Sequence, residues 1–309
     1  MTPLQKYIAE EIATDHADGL MSRREAMRRL GLLGLSVAAA SSLIAACGGD
    51  DSETAATTSA PTPTGGTTTT AATPAADAPG VATAIETEAI TFTGPNGTLQ
   101  GAWAPASNPR GAVLVIHENR GLTDHIRSVA GRFGGVGYSA LAIDLLSEEG
   151  GTGTFADPAE ATAALGRTPP ERFVADMKAG IDELQRRVPN ARIGQIGFCM
   201  GGGLTWRMLA SNEPRLAAAA PFYGPMPENA NFTGSNAAVL GVYAAQDDRV
   251  NASRDAAAAA LTAAGLTHEI VTEPDSNHAF FNDTGQRYNQ AAATDAWNRV
   301  LAWFGQYLV

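Results

Sequence analysis

"IGQIGFCMGGGLTW", residues 193–206, is the stretch on which the interpretation of this chain depends. The apolar run 193–198 is typical of a buried strand, and the glycine-rich run after Cys199 is typical of the start of a helix. Cys199 stands between them, at the centre of a Gly-x-Cys-x-Gly pattern that begins at Gly197 and ends at Gly201. The stretch therefore predicts a strand-to-helix turn that carries a thiol.

The glycines indicate that this turn is tight. Side chains at Gly197 and Gly201 would collide with the crossing backbone, and Gly202 and Gly203 allow the helix to approach the sheet closely. The N-terminus of the following helix would lie beneath the sulfur of Cys199, where its field favours a thiolate. A serine holds the central position of this pattern in many hydrolases, so the spacing favours a nucleophile over a packed small hydrophobe.

Strands and helices alternate along the rest of the chain. Strands are predicted over 88–94, 98–106, 111–118, 138–146, 192–198, 216–222, 237–243 and 267–272, the first two forming a hairpin. Helices are predicted over 123–136, 171–187, 200–211, 252–264 and 284–307. This order predicts an α/β fold, with a mostly parallel central sheet flanked by helices on both faces.

Polar residues follow the strands at their predicted carboxyl ends, where functional groups collect in such sheets. They are Glu118, Asp144, Cys199, Asp247 and His278. Read along the chain, a nucleophile, an acid and a histidine occur in the order that the α/β-hydrolase arrangement uses.

His278 is the candidate base, because it is the one histidine in a polar loop late in the chain. Asp247 is its candidate orienting acid, with Asp248 as the immediate competitor. A cysteine at its ordinary pKa is only a few per cent ionised at neutral pH, so it needs such a base or field. Glu118 is either functional or a cap of the next segment, and Asp144 is expected to hold its loop.

Two backbone donors are expected around the acyl oxygen. The N–H of Met200 follows the nucleophile, and a second donor is expected from Asn119 or its neighbour. The glycine run lacks the Lys-Ser/Thr of a phosphate-binding loop and the full dinucleotide fingerprint. The glycine run is therefore not expected to bind a phosphate group.

Composition excludes several other classes of protein. The chain has 309 residues, a net charge of −11 and a pI near 4.9, so a nucleic-acid partner is not expected. Two cysteines are too few for a disulfide scaffold or a cysteine-rich zinc site, and no HExxH occurs. No metal is expected.

Residues 1–47 have the layout of a bacterial export signal. Arg23 and Arg24 form a twin arginine, which suggests export of a folded protein, and a modestly apolar run ends in Ile-Ala-Ala-Cys at Cys47. That ending is similar to a lipoprotein processing box, so Cys47 is predicted to carry lipid as the first mature residue. Alternatives are an uncleaved anchor, or a start at Met21.

Residues 48–81 have almost no large apolar side chain and are predicted to be a flexible tether before a domain over 82–309. The protein is then expected on the outer face of the cytoplasmic membrane, or in the periplasm, held by lipid. If Cys47 is lipidated, Cys199 is the only remaining thiol. It has no disulfide partner, which also weighs against a redox role.

The motifs together resemble the dienelactone hydrolase (carboxymethylenebutenolidase) family over about residues 85–309. The matching pieces are "VIHENRG", "GFCMGG", "AAQDDRV" and "NHAFFND". The resemblance implies an α/β-hydrolase fold, a Cys199–His278–Asp247 triad, no cofactor, and a role for Glu118 in contacting and activating the resting thiol. It implies a hydrolase that opens an ester or lactone through a thioester, acting on a small molecule.

One departure concerns the substrate. Family members hold a substrate carboxylate with arginines, yet Asn282 stands where one is expected, and Arg120, Arg167 and Arg172 are possible substitutes. A thioesterase or broad small-ester hydrolase on the same triad is the nearest alternative. A non-catalytic surface-binding lipoprotein is the alternative of another class. The protein is expected to be a monomer.

Overall fold

A sheet of eight strands crosses the structure, a computed structural model that describes residues 1–47, 75 and 77–309. The strands are β1 (Glu88–Gly94), β2 (Gly97–Ala104), β3 (Ala112–Ile116), β4 (Ser139–Asp144), β5 (Ile193–Phe198), β6 (Leu216–Phe222), β7 (Ala238–Ala244) and β8 (His268–Glu273). The helices are α1 (Pro3–Ala17), α2 (Arg23–Leu32), α3 (Val37–Ala46), α4 (Asp124–Gly135), α5 (Pro158–Arg167), α6 (Pro170–Arg187), α7 (Met200–Leu209), α8 (Asp248–Asn251), α9 (Arg254–Ala263) and α10 (Gln290–Tyr307).

The strand order is β1-β2-β4-β3-β5-β6-β7-β8. β2 runs antiparallel to both of its neighbours, and every other pair from β3 to β8 is parallel. The predicted hairpin and the mostly parallel sheet are therefore confirmed. Parallel order brings the carboxyl ends of β3, β5, β7 and β8 to one edge, where the loops that follow them can meet.

The central strands are buried on both faces. Every residue of β3, β4, β5 and β7 is buried, although successive side chains point to opposite faces of a strand. α4 and α10 pack together through Phe133, Trp297 and Phe304, whereas α6 and α7 contact each other. Helices therefore cover both faces of the sheet, as the unbroken apolar runs predict.

Two helix predictions need correction. α5 was not expected, although Asp157 caps it and Pro158 opens it, both of which are signals readable in the sequence. α10 begins at Gln290 and not near 284, because the side chain of Asn289 accepts a hydrogen bond from the N–H of Ala292 and caps the helix there.

Residues 1–47, for which the sequence predicts an export signal and not a part of the domain, are folded in the structure. α1, α2 and α3 pack on one another, α1 and α2 also pack on α5, and the buried residues include Ile8, Ile12, Leu30 and Ile44. The export signal over these residues stays a prediction, as does the monomeric state.

None of the helices in the described part of the chain combines the length and the apolar character that a membrane crossing requires.

The predicted tether, 48–81, lies mostly outside the described residues. Its last part, 77–81, packs on the domain and is not free. Ala78 is buried, and the guanidinium of Arg132 donates to the carbonyl of Pro79 at 3.3 Å. A Cβ at Gly80 would lie 2.9 Å from the ring of Trp297. The packed part of the domain thus begins a few residues before 82.

Candidate active site

Cys199 occupies a strained turn between β5 and α7. Its φ of +57° and ψ of −117° lie where residues other than glycine are rare. A Cβ at Gly197 would lie 2.1 Å from the carbonyl oxygen of Gly201, and a Cβ at Gly201 would lie 2.5 Å from that of Ile116. Both glycines of the motif are therefore required by crossing backbone, as the spacing predicts.

The glycines that follow are not equivalent. A Cβ at Gly202 would lie 2.3 Å from the carbonyl oxygen of Phe222, so this position needs glycine. A Cβ at Gly203 would meet nothing closer than 3.5 Å, so the expectation for Gly203 is wrong. The close approach there comes from Gly224, where a Cβ would lie 2.2 Å from the Gly203 nitrogen. Sequence reasoning missed Gly224.

His278 and Asp247 meet at the carboxyl edge of the sheet. The Nδ1–H of His278 donates to Asp247 Oδ2 at 2.6 Å, and both side chains are buried. Asp248, the competing acid, is exposed. Since Nδ1 carries the proton, Nε2 is left to accept one, and within the described part of the chain it has no hydrogen-bond partner.

The charges of this pair stabilise each other. Burial alone would lower the pKa of His278, but the Asp247 carboxylate outweighs burial and raises that pKa above its ordinary value. Burial would likewise raise the pKa of Asp247, and His278 and Arg249 instead hold it below its ordinary value. Asp247 is thereby kept ionised, in the state that orients an imidazole.

The sulfur of Cys199 lies beside the imidazole. Cys199 Sγ, a ring nitrogen of His278 and a carboxylate oxygen of Glu11 all lie within 4.8 Å of one another. Cys199 is only 2% exposed, because α1 covers it. The nucleophile is therefore close to its expected base, but closed off from solvent by a segment that sequence reasoning assigned to an export signal.

The expectation that the helix field makes Cys199 a thiolate is not met in this arrangement. Burial raises the pKa of the thiol well above its ordinary value, and the carboxylates of Glu11 and Glu118 raise it further. The Tyr7 hydroxyl and the Met200 N–H lower it, but they are outweighed. The thiol is therefore protonated at rest.

Glu118 and Asn119 border the thiol from the loop after β3. Glu118 is buried and accepts a hydrogen bond from the amide of Asn282 at 2.7 Å, and its other oxygen, Oε1, is buried with no partner among the described residues. The side-chain amide of Asn119 donates to Glu11 Oε1 at 2.9 Å. Both residues thus lie at the site, with Asn119 held by the covering helix.

Other polar residues near this edge serve the fold. Asp144 accepts hydrogen bonds from the N–H groups of Leu146 and Thr152 and from the Thr152 hydroxyl, so it holds its loop as expected. His125 and Arg132 both bind the buried carboxylate of Asp283 at 2.7 Å. These contacts account for their burial without a catalytic role.

Of the three arginines suggested from sequence, only Arg120 lies near the site. Arg120 lines a cavity of about 240 Å³ beside Cys199 and His278. Arg167 donates to the carbonyl of Leu32, and Arg172 binds acidic side chains elsewhere.

Arg249 and Arg287 were missed. Arg249 lies under the ring of Tyr7 at 4.5 Å, and Arg287 binds Asp15 at 2.6 Å and also Asp18. Both arginines therefore face α1.

α1 itself was also missed. Thr2 and Gln5 form a reciprocal capping box at its start, and Tyr7, Ile8 and Ile12 recur at helical spacing on its buried face. Both signals were available in the sequence. Residues 1–47 also fit an export signal, and that prediction says nothing about what the helix packs against.

One group in the described residues has the donor types of a metal site. Glu11, Cys199 and His278 offer a carboxylate, a thiolate and an imidazole, which are ligands that zinc accepts. Two of the three are the expected nucleophile and base, so a metal bound there would block a thiol mechanism.

The strand order, the strained turn and the buried acid–histidine pair define an α/β-hydrolase. The family model of the dienelactone hydrolase family matches residues 100–308, and the chain belongs to that family. It is therefore an ester or lactone hydrolase of this family.

Relatives agree with this assignment. A Salmonella typhi protein with the provisional name carboxymethylenebutenolidase is 35% identical over 208 residues, which span 63% of this chain and 77% of that one. An Escherichia coli K12 protein of the same provisional name is 33% identical over 215 residues, 65% and 79% of the two chains. The crystal structure of a provisionally assigned dienelactone hydrolase from Klebsiella pneumoniae has a TM-score of 0.63 and 29% identity, covering 72% of this chain and 98% of that one.

Proposed function

We propose that this hydrolase opens a small ester or lactone through a covalent thioester on Cys199, with His278 as base and Asp247 as its orienting acid. The observation that carries this is the 2.6 Å bond from His278 Nδ1 to Asp247, because it fixes the tautomer whose free Nε2 can take the thiol proton. The nearby strained turn that holds the sulfur supports the same reading.

In the first half of the reaction, His278 Nε2 accepts the proton of Cys199 as the sulfur attacks the carbonyl carbon. The negative charge that develops on the acyl oxygen is stabilised by backbone donors, the Met200 N–H and one from Asn119 or its neighbour. The C–O bond to the leaving alkoxide then breaks, and His278 returns the proton to it. In a lactone the alkoxide remains attached through the rest of the ring.

In the second half, His278 takes a proton from water, and the hydroxide attacks the thioester carbon. The C–S bond breaks, His278 returns the proton to the departing sulfur, and the carboxylic acid is released while the Cys199 thiol is restored. No step requires a cofactor.

Glu118 is proposed to act on the resting thiol. Its carboxylate contributes to the raised pKa of Cys199, and its Oε1 is buried without a partner among the described residues. Such a carboxylate disfavours a neighbouring thiolate, so it keeps the proton on the sulfur until a substrate displaces its neighbours and His278 accepts that proton. A thiol kept neutral until then is also less readily oxidised.

The test is to incubate the protein with 4-nitrophenyl acetate and follow both nitrophenolate release and the mass of the Cys199 peptide. We expect a transient acetyl adduct on Cys199, and a loss of turnover by at least about four orders of magnitude in Cys199→Ala. Cys47→Ser is the matched thiol control and should keep wild-type turnover. Turnover that survives Cys199→Ala would place the chemistry elsewhere.

A broad small-ester substrate range is the second candidate. Asn282 holds the position where the family resemblance implies an arginine, and its amide is used to bind Glu118. A neutral amide engaged in this way cannot supply the cation that a substrate carboxylate needs, and of the three arginines suggested from sequence only Arg120 lines the cavity. Comparing 4-nitrophenyl acetate with 4-nitrophenyl hydrogen succinate tests this: similar kcat/KM values favour the broad range, and a strong preference for the succinate contradicts it.

We further propose that the protein is exported and anchored by lipid on Cys47 to the outer face of the cytoplasmic membrane. The twin arginine and the Ile-Ala-Ala-Cys ending support this. Labelling of expressing cells with an alkyne fatty acid should mark the wild-type protein and leave Cys47→Ser unmarked. Equal labelling of both proteins would exclude Cys47 as the anchor.

A further inference from the structure

We propose that α1 is an inhibitory occupant of the active site, which holds Cys199 unreactive until the helix leaves. This inference rests on the proposed function, because α1 can inhibit the protein only if Cys199 is its nucleophile. The closure of the thiol can be measured separately from hydrolysis.

Two side chains of α1 surround the sulfur. The Cys199 thiol donates to the Glu11 carboxylate at 3.3 and 3.5 Å, and the Tyr7 hydroxyl lies 3.4 Å from Sγ. Glu11 and Tyr7 are themselves buried. An acyl carbon must approach this sulfur to react, and these side chains occupy that space.

The position of the Glu11 carboxylate is that of a carboxylic acid product. One oxygen accepts a bond from the amide of Asn119 at 2.9 Å and lies 3.9 Å from His278 Nε2. Hydrolysis of an ester would leave a carboxylate between the nucleophile, the base and the loop after β3. Glu11 therefore fills the site with the functional group that the reaction generates, and it cannot itself be hydrolysed.

Several contacts hold α1 in this place. Ile8 is fully buried, and Ile12 is 3% exposed. Arg287, from the loop before α10, binds Asp15 and Asp18 near the end of α1. The ring of Tyr7 lies over the guanidinium of Arg249. A helix with an apolar face, matched charges and its own capping box is built to bind this surface.

α1 lies outside the part of the chain that is shared with relatives. The family model begins at residue 100, and the Klebsiella chain is covered to 98% by 72% of this one. The shared fold is therefore complete without α1. If the proposed cleavage before Cys47 takes place, it removes the occupant, so that the processed enzyme is more active than the full-length chain.

The experiment uses the full-length chain and two variants that open the site in different ways. Ile8→Asp places a charge in the packed face and detaches α1, whereas Glu11→Ala removes the carboxylate without disturbing that face. Lys6→Ala, at an exposed position of the same helix, is the matched control. Circular dichroism and thermal unfolding check that the domain remains folded.

The first readout is the rate at which iodoacetamide alkylates Cys199, followed by peptide mass spectrometry so that Cys47 is counted separately. We expect a rise of at least about tenfold in both opening variants, because reactivity through an open state scales with the fraction open. Lys6→Ala should match the wild type. Unchanged alkylation in both opening variants overturns the proposal.

The second readout is hydrolysis of 4-nitrophenyl acetate, which should rise in parallel. Faster alkylation with no hydrolysis in any variant would support the occupant and refute the proposed function. A fall in hydrolysis in Glu11→Ala, at unchanged alkylation, would make Glu11 part of the catalytic machinery and overturn inhibition. A synthetic peptide of residues 1–20 should inhibit the Ile8→Asp protein, and a scrambled peptide should not.

Discussion

The turn at Cys199 and the helix α1 meet at one sulfur atom, but they are encoded in different ways. The turn leaves a pattern of five residues, in which Gly197 is required by the carbonyl of Gly201 and Gly201 by the carbonyl of Ile116 in β3. α1 reaches the same sulfur from 188 residues away through Glu11. A steric requirement for glycine is visible as a short pattern in the sequence, whereas a contact between distant side chains leaves no such pattern.

The largest effect on activity is expected from a change in the His278–Asp247 pair. Asp247→Asn, made in the Ile8→Asp background, should lower kcat by about 10⁴-fold, because the amide favours the wrong tautomer of His278. Asp248→Asn is the matched control, since Asp248 is exposed and should keep activity within about twofold. Equal losses in the two variants would show that the buried position of Asp247 is not what matters.

The steric account of the turn can be tested at Gly197, where a Cβ would clash, and at Gly203, where it would not. Gly197→Ala should lower the free energy of unfolding by about 3 kcal/mol, because its Cβ would lie 2.1 Å from the carbonyl oxygen of Gly201. Gly203→Ala should change it by less than about 1 kcal/mol, toward greater stability, since the helix gains an alanine without a clash. Chemical denaturation measures both. A destabilised Gly203→Ala protein would contradict the steric account.

The pH dependence of kcat/KM tests the same His278–Asp247 pair. The reaction needs His278 neutral, and its pKa is raised above the ordinary 6.5, so kcat/KM should rise with pH through a value above 6.5. The raised pKa of His278 affects stability in the opposite direction: its contribution is full below the pKa of the imidazole in the unfolded chain and is lost as pH rises through the folded pKa. The lowered pKa of Asp247 contributes stability that is present above its unfolded pKa and is lost as pH falls through its folded pKa.

Burial lowers the pKa of His278, and Asp247→Asn removes the larger of the two carboxylates that oppose burial, leaving only the smaller effect of Glu11. The acid limb of the profile should therefore move to lower pH in that variant. A limb that stays in place would assign it to another group.

The smallest effect is expected at the start of α1. Thr2→Ala removes the side chain that accepts from the Gln5 N–H, at a cost of about 1 kcal/mol to the helix. If α1 opens as a unit, alkylation of Cys199 should rise about fivefold. Lys6→Ala should again leave the rate unchanged. No change in Thr2→Ala would mean that the cap frays without releasing Glu11.

Much of the domain was predictable from local pattern. The strands from β3 to β7 are mostly apolar runs, which predicts buried strands. The polar residues that follow them in the sequence predict the candidate site. Asp247 was preferred to Asp248 on sequence, and burial separates the two. Helix boundaries were less accurate, as at Asn289, because a single side-chain cap decides them.

The parts that could not be predicted depend on approach between distant segments. Gly224 is needed because its loop lies against the backbone of Cys199, Gly202 and Gly203, and Arg287 binds Asp15, which precedes it by 272 residues. The protonated state of Cys199 is of the same kind. Its neighbours Tyr7 and Glu11 come from a segment that carries the motifs of an export signal.

The sequence alone determined the sheet, the thiol at its edge and the chain order of nucleophile, acid and histidine, because period, glycine spacing and strand ends are short-range properties. Only the tertiary structure decided that the thiol is covered, and by which residues. Burial, proton affinity and access depend on everything that surrounds an atom, and most of what surrounds this sulfur is distant from it along the chain.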